Sequence, residues 1–218
     1  MSPNSATPIV LDGHFLPQEP AISVDARQAI PTAGEDLLER IGSDLYRIAS
    51  MLLGEGEDAV ALIEEVITHL DLDSPGAHED LRHHARLALS GKAIALLHQR
   101  EAASLAAPDE DSIASGPVSC IEDDDLDAAG LTPIQFEELL TGPDRNRLRD
   151  WLLSLSSALR VIFVLRAVAA LTSAEVAGLL AENASPEAEL WTPEAVRTTF
   201  RQALCSLASQ LIHASASR

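Results

Sequence analysis

Thr192-Pro193-Glu194 opens the last long periodic segment, and the residues after it divide into two faces. Val196, Phe200, Leu204, Leu207 and Leu211 recur at steps of 4, 4, 3 and 4, an apolar stripe along one side of a helix. Arg197, Thr198, Arg201, Gln202, Ser206 and Ser209 fall on the other side. That second face has the chemistry of major-groove reading. Arginine pairs with guanine edges, glutamine pairs with adenine, and the free amides at a helix start hold a phosphate. A solvated amphipathic helix has the same spacing, and on spacing alone that blander reading is the more common one.

Other reactive residue types lead to no chemistry. His78, His83 and His84 lie close together, but His78-Glu79 followed four residues later by His83 is one residue too long to bring two imidazoles to one helix face. Glu64 and Glu65 are adjacent and diverge by about 100° on a helix, so they do not form an acid–base pair. The acidic run Glu122-Asp-Asp-Asp125 with Asp127 reads as a solvated linker. Trp151 and Trp191 read as core residues. Cys120 and Cys205 are the only cysteines, far apart and without metal-ligand spacing; Cys205 reads as a packing residue, and no disulfide framework is expected. No nucleophile triad, phosphate loop or cofactor fingerprint is present, so the expectation is no enzyme, no catalytic residue, no cofactor and no metal.

The elements that would position the reading face are helical. Apolar residues are 46% of the 218, mostly Leu and Ala, while aromatics are 3%, a balance that favours helix over sheet. Thr32-Ala-Gly-Glu35 forms a capping box, and Leu37, Leu38, Ile41, Leu45, Ile48 and Leu52 follow at helical steps until Gly54 and Gly56. A second helix starts near Asp58 and ends at Asp73-Ser-Pro-Gly76. A third runs over about 77–103, with Gly91 as a point of weakness. Thr132-Pro-Ile-Gln135 opens a short helix, followed by 147–155 and then 157–170. The run Val161–Leu165 has strand propensity, but its flanks favour a buried helix. Thr172-Ser-Ala-Glu175 is a further capping box, leading into Val176, Leu179 and Leu180. The fold class expected is therefore all-α, with two small helical domains joined by an acidic linker. Residues 1–31, punctuated by five prolines, read as a disordered tail; 32–104 form the first domain, 105–131 the linker and 132–218 the second domain.

Charge follows the same division. The total is −19, yet residues 1–144 hold 7 basic and 28 acidic side chains, and residues 145–218 hold 8 and 6. The second part is mildly basic and the rest strongly acidic, which bears on partners rather than on fold. No leader peptide is visible and no apolar stretch approaches the roughly 18–20 residues of a membrane span, so a cytoplasmic location without membrane contact is expected.

Two segments, in order, resemble the bacterial sigma-70 family, specifically the short extracytoplasmic-function sigma factors. Leu45-Tyr-Arg-Ile-Ala-Ser-Met-Leu-Leu-Gly54 with Glu57–Leu70 is similar to the start of the domain called region 2. Leu153–Arg166 with Leu171-Thr-Ser-Ala-Glu-Val-Ala-Gly-Leu-Leu180, then Val196, Arg197 and Ala203, is similar to the helix-turn-helix of region 4. The resemblance covers about residues 35–105 and 140–212. It implies a transcription initiation factor in which the first domain docks on core RNA polymerase and the second reads promoter DNA as duplex. An anti-sigma factor is a further partner it implies. Carried over by position, Asp58, Leu62, Glu64, Glu65 and Val66 lie where the family contacts polymerase. Ser173, Thr192, Glu194, Arg197, Thr198, Arg201 and Gln202 lie on or near the reading surface.

The sequence departs from the family at several of these places. Ala77, Asp80 and Leu87 stand where Phe, Trp and Asn are common, and the basic run that follows is reduced to Lys92 and Arg100. Thr199 and Gln202 stand where Arg is frequent, and Glu182–Trp191 is longer than a tight turn. Stacked aromatics contribute roughly 1–3 kcal/mol per base, so their loss weakens strand capture. The rival expectation is therefore a degenerate sigma homologue that regulates transcription by binding protein. Should Glu182, Glu187 and Glu189 cover Arg197 and Arg201, duplex binding would be blocked.

Overall fold

The computed structural model describes residues 33–70, 78–100, 120–183 and 191–216. Eight α-helices and no strand occur among them: α1 (Ala33–Leu53), α2 (Glu57–Thr68), α3 (His78–Arg100), α4 (Pro133–Thr141), α5 (Arg145–Ser154), α6 (Ser157–Phe163), α7 (Ser173–Asn183) and α8 (Pro193–Ala216). The all-α expectation holds. The expected tail over 1–31, the Thr32 cap, the stop at Asp73–Gly76 and residues 101–119 lie outside the described residues.

Local signals explain most helix ends. Gly54, at φ 89°, takes the left-handed conformation that ends α1, and its amide donates to the Ser50 carbonyl at 3.0 Å. Thr132 and Gln135 form the reciprocal box ahead of α4, with Pro133 in the first turn where its missing amide leaves nothing unsatisfied. The run 157–170 is helical, as its flanks suggest: α6 widens into a π-turn at Val164–Val168, where the Ala169 amide reaches the Val164 carbonyl at 3.0 Å. Ala170 follows at φ 55°, an uncommon conformation for a residue with a side chain.

Helices α1, α2 and α3 pack on one another as the sequence indicates, and α6, α7 and α8 form the second group. The two groups share one hydrophobic core. Helix α3 lies along α7, and α1 packs on the π-turn after α6. Phe163 is fully buried with Trp151 at 4.9 Å, Phe200 at 6.0 Å and Phe136 at 6.2 Å between ring centroids, mostly edge-to-face. Trp151 and Trp191 are both core residues, and the Trp151 indole donates to Ser206 Oγ at 3.0 Å. Ion pairs tie the first group to α4 and α5 at the surface: Arg47 with Glu137 at 3.0 Å, and Arg145 and Arg149 with Glu55.

Gly91 does not break α3, which runs unbroken over 78–100. Its lack of a side chain serves the packing instead. A Cβ there would stand 3.3 Å from Asn183 Nδ2 and 3.5 Å from Leu179 Cδ2, so Gly91 sets how closely α7 approaches. Gly178, on α7, has open space around it. Gly91→Leu is expected to lower unfolding free energy by about 1–3 kcal/mol through overpacking. Gly178→Leu is expected to raise it by about 0.5 kcal/mol through helix propensity. Urea denaturation of the two variants reads both signs.

Candidate functional site

Helices α7 and α8 are fixed at their starts by side-chain caps. The Thr172 amide donates to Glu175 Oε2 at 2.7 Å and the Glu175 amide donates back to Thr172 Oγ1 at 3.2 Å, the box read from the sequence. Thr192 Oγ1 accepts from the Ala195 amide at 3.1 Å and caps α8. Val196, Phe200, Leu204 and Leu207 of the stripe are buried and Leu211 is partly buried, so the opposite side of α8 is turned outward.

Arg197, Thr198, Arg201 and Gln202 come together on that side, each partly exposed, next to the exposed Thr192 and Glu194. Ser173 does not join them: it is 7% exposed and belongs to the packing beneath α7. Thr199 is buried as well, and its hydroxyl has no hydrogen-bond partner among the described residues. The arginines are already engaged. Arg197 donates from Nε at 2.9 Å and Nη2 at 2.6 Å to Glu194 Oε2. Arg201 donates to Glu194 Oε1 at 3.3 Å, to Thr198 Oγ1 at 3.2 Å and to the Glu122 carbonyl at 3.0 Å. Hydrogen bonds and charge from Arg197 hold the Glu194 carboxyl below the usual glutamate range. Glu194 is thus the shared anionic partner of both arginines on this face. Of the glutamates that the sequence suggested as a cover, Glu182 is exposed, and Glu187 and Glu189 lie outside the described residues.

Residues 120–131 border the same face. Read as part of an extended linker, they are instead seated against the protein: Ile121 and Leu131 are each 6% exposed, Leu126 is partly buried, and a short 3₁₀ turn at Asp127–Ala129 touches α8. Arg166 donates from Nη2 to Asp124 Oδ2 at 3.2 Å and from Nη1 to the Leu171 carbonyl at 2.8 Å, while its guanidinium lies 5.3 Å from the Phe200 ring centre. Cys120 and Cys205 form a disulfide, with Cα atoms 5.8 Å apart across 85 residues of chain. The reading of Cys205 as an unpaired packing residue is therefore corrected. The pairing depends on 120–131 lying along α8, which spacing in the sequence does not reveal.

The second group of candidate residues lies on α2. Asp58, Glu64 and Glu65 are exposed; Leu62 and Val66 are 7% and 2% exposed and hold α2 to the bundle rather than facing outward. Asp58 pairs with Arg100 at 2.8 Å and Glu65 with Lys92 at 2.6 Å, so α3 neutralises two of the three carboxylates. Exposed Tyr46 and Val60 stand beside them in a shallow acidic depression with Glu57 and Glu64. His83 and His84 have partners: His83 Nε2 lies 2.7 Å from Glu175 Oε1, linking α3 to α7, and His84 Nδ1 lies 2.6 Å from the Asp80 carbonyl oxygen. Among the described residues no helix is long and apolar enough to cross a membrane, and no group of three His, Cys, Asp or Glu side chains is placed to hold a metal ion.

No family model, curated protein or solved structure significantly matches the chain.

Glu175 carries a pH dependence. Burial raises its pKa, but hydrogen bonds from the Thr172 amide and hydroxyl and the charge and hydrogen bond of His83 outweigh that and leave it below the ordinary value of 4.5. A lowered folded pKa adds stability that is fully present above the ordinary glutamate range and is lost as pH falls through the folded value. Glu175→Gln is therefore expected to be less stable than the parent near neutrality, the difference shrinking as pH falls through the lowered folded value of Glu175. Denaturant midpoints across an acid pH series test this.

Proposed function

We propose that the protein is a sigma-like transcription initiation factor, binding core RNA polymerase through α1–α3 and promoter duplex through α7 and α8. The observation that carries the reading is the α7–α8 pair, with both helices capped and Arg197, Thr198, Arg201 and Gln202 gathered on the outward side of α8. Arg197, Arg201 and Gln202 supply base-edge contacts; Thr192 and the first amides of α8 supply a phosphate contact that fixes register. Ser173 acts indirectly, as part of the packing that sets α7. On α2, the exposed Asp58, Glu64 and Glu65 offer carboxylates to a basic polymerase surface, with Leu62 and Val66 holding the helix in place. An anti-sigma factor would compete for the same faces. Co-elution with core polymerase and run-off transcription from a selected promoter test the reading; absence of both overturns it.

One observation favours a second reading, a sigma homologue that regulates by binding protein alone: the arginine face of α8 is occupied by Glu194 and the Glu122 carbonyl. A salt-dependent mobility shift with duplex promoter fragments separates the two readings. Under the first, Glu194→Gln removes the exposed counter-charge of Arg197 and Arg201 and tightens duplex binding by roughly two- to fivefold at low salt. Under the second, the substitution leaves binding at background.

A further inference from the structure

We propose that residues 120–127 are a redox-latched strap, held over the arginine face of α8 by the Cys120–Cys205 disulfide and released when that bond is reduced. Three kinds of contact hold the strap: the covalent bond to α8, the apolar packing of buried Ile121 and partly buried Leu126, and hydrogen bonds from Arg166 to Asp124 and from Arg201 to the Glu122 carbonyl. Against them stands self-repulsion, because Glu122, Asp123, Asp124, Asp125 and Asp127 place five carboxylates within six residues. With the disulfide intact, the strap cannot leave: Cys120 is fixed one residue before Ile121, and its partner sits four residues past Arg201 on the same helix. With the bond cut, Ile121, the partly buried Leu126 and the hydrogen bonds from Arg166 and Arg201 remain against the crowded acids, and salt weakens the ionic contact. Cys120 is exposed, so a thiolate has access to the bond.

The step balances with a dithiol reductant. One reductant thiolate attacks a cysteine sulfur, forming a mixed disulfide and releasing the other cysteine as thiolate. The second reductant thiolate then closes on its own sulfur and releases the remaining cysteine. The protein gains two electrons and two protons, and the reductant leaves as its disulfide. Release uncovers Nη2 of Arg166 and Nη1 of Arg201 and removes the acidic screen beside them, while Arg201 keeps Glu194 and Arg166 keeps the Leu171 carbonyl. What then binds this face rests on the DNA reading above, and the chemistry uncovered suits nucleic-acid phosphates; the latch itself does not depend on that reading.

Hydrogen exchange read by mass spectrometry tests the latch on the full chain, comparing the air-oxidised protein, the same protein in dithiothreitol, and Cys120→Ser. The expected result is no free thiol in the oxidised protein. In the other two, amides of 121–127 exchange about tenfold or more faster while α3 and α6 keep their protection, and reoxidation restores the slow rate in the parent only. Unchanged protection of 121–127 on reduction overturns the latch, as do two free thiols in the oxidised protein. Exchange that rises throughout the chain in both reduced protein and variant also overturns it, the bond then being a general brace. Binding to a short mixed-sequence duplex and to heparin is measured in parallel. Each of these arginines that pairs with a phosphate steepens the log–log salt dependence for duplex by about 0.9. A strap that opens with no gain in binding to either polyanion supports the latch and overturns the DNA reading.

Discussion

A helix with no polar side to present to water must be surrounded, and in this protein that helix is α6. Val161, Ile162, Phe163, Val164 and Leu165 are all at 0% exposure, so the five consecutive residues point in every direction around the axis and each direction needs an apolar neighbour. Helices α1, α4, α5 and α8 supply side chains to the same core. This requirement joins the first three helices to the last three. The ion pairs of Arg47, Arg145 and Arg149 then tie α4 and α5 to the first group at the surface. The π-turn follows from the same demand. One extra residue in the turn lets Ala169 and Leu171 both stay buried while the chain swings out through Ala170 into α7.

Charge is organised around that framework. A total of −19 would repel nucleic acid if it were spread evenly, but the decisive charges are those within a few ångströms of α8. There Glu194 and the backbone of the acidic strap meet Arg197 and Arg201, and Asp124 meets Arg166. The basic face is thus balanced by nearby acids from the same chain. Likewise Lys92 and Arg100 of α3 balance Glu65 and Asp58 of α2. Both candidate interaction faces carry their own counter-charges, so any anionic or cationic partner must displace them rather than meet a bare surface.

Much of this was legible in the chain. The Thr132, Thr172 and Thr192 caps, the stripe from Val196 to Leu207 and the inward tryptophans are consequences of interactions within one turn or one helix face, and all stand as read. Other features were hidden for identifiable reasons. Ile121, Leu126 and Leu131 recur at a step of five, which matches neither helix nor strand, and five carboxylates around them give the composition of a solvated linker. Ser173, Leu62 and Val66 sit at positions named by resemblance to a surface. Whether such a position faces outward depends on the rotation of its helix against neighbours far away in sequence. Gly91 shows the same limit: as a propensity it reads as a weak point, and only the presence of α7 makes it a contact.

The sequence by itself determined the eight helices, most of their ends and the two-faced character of α8, because those depend on hydrogen bonds and periodicities spanning about four residues. Only the tertiary structure decided what lies over that face. The Cys120–Cys205 bond closes across 85 residues, and Arg201 meets Glu122 across 79. Contacts of that span exist only once α6 has drawn both halves around itself. No local rule ranks them against the many other pairings a chain of this length allows. The two-faced helix was written in its own residues; the acids and the disulfide that lie against it were decided by the core.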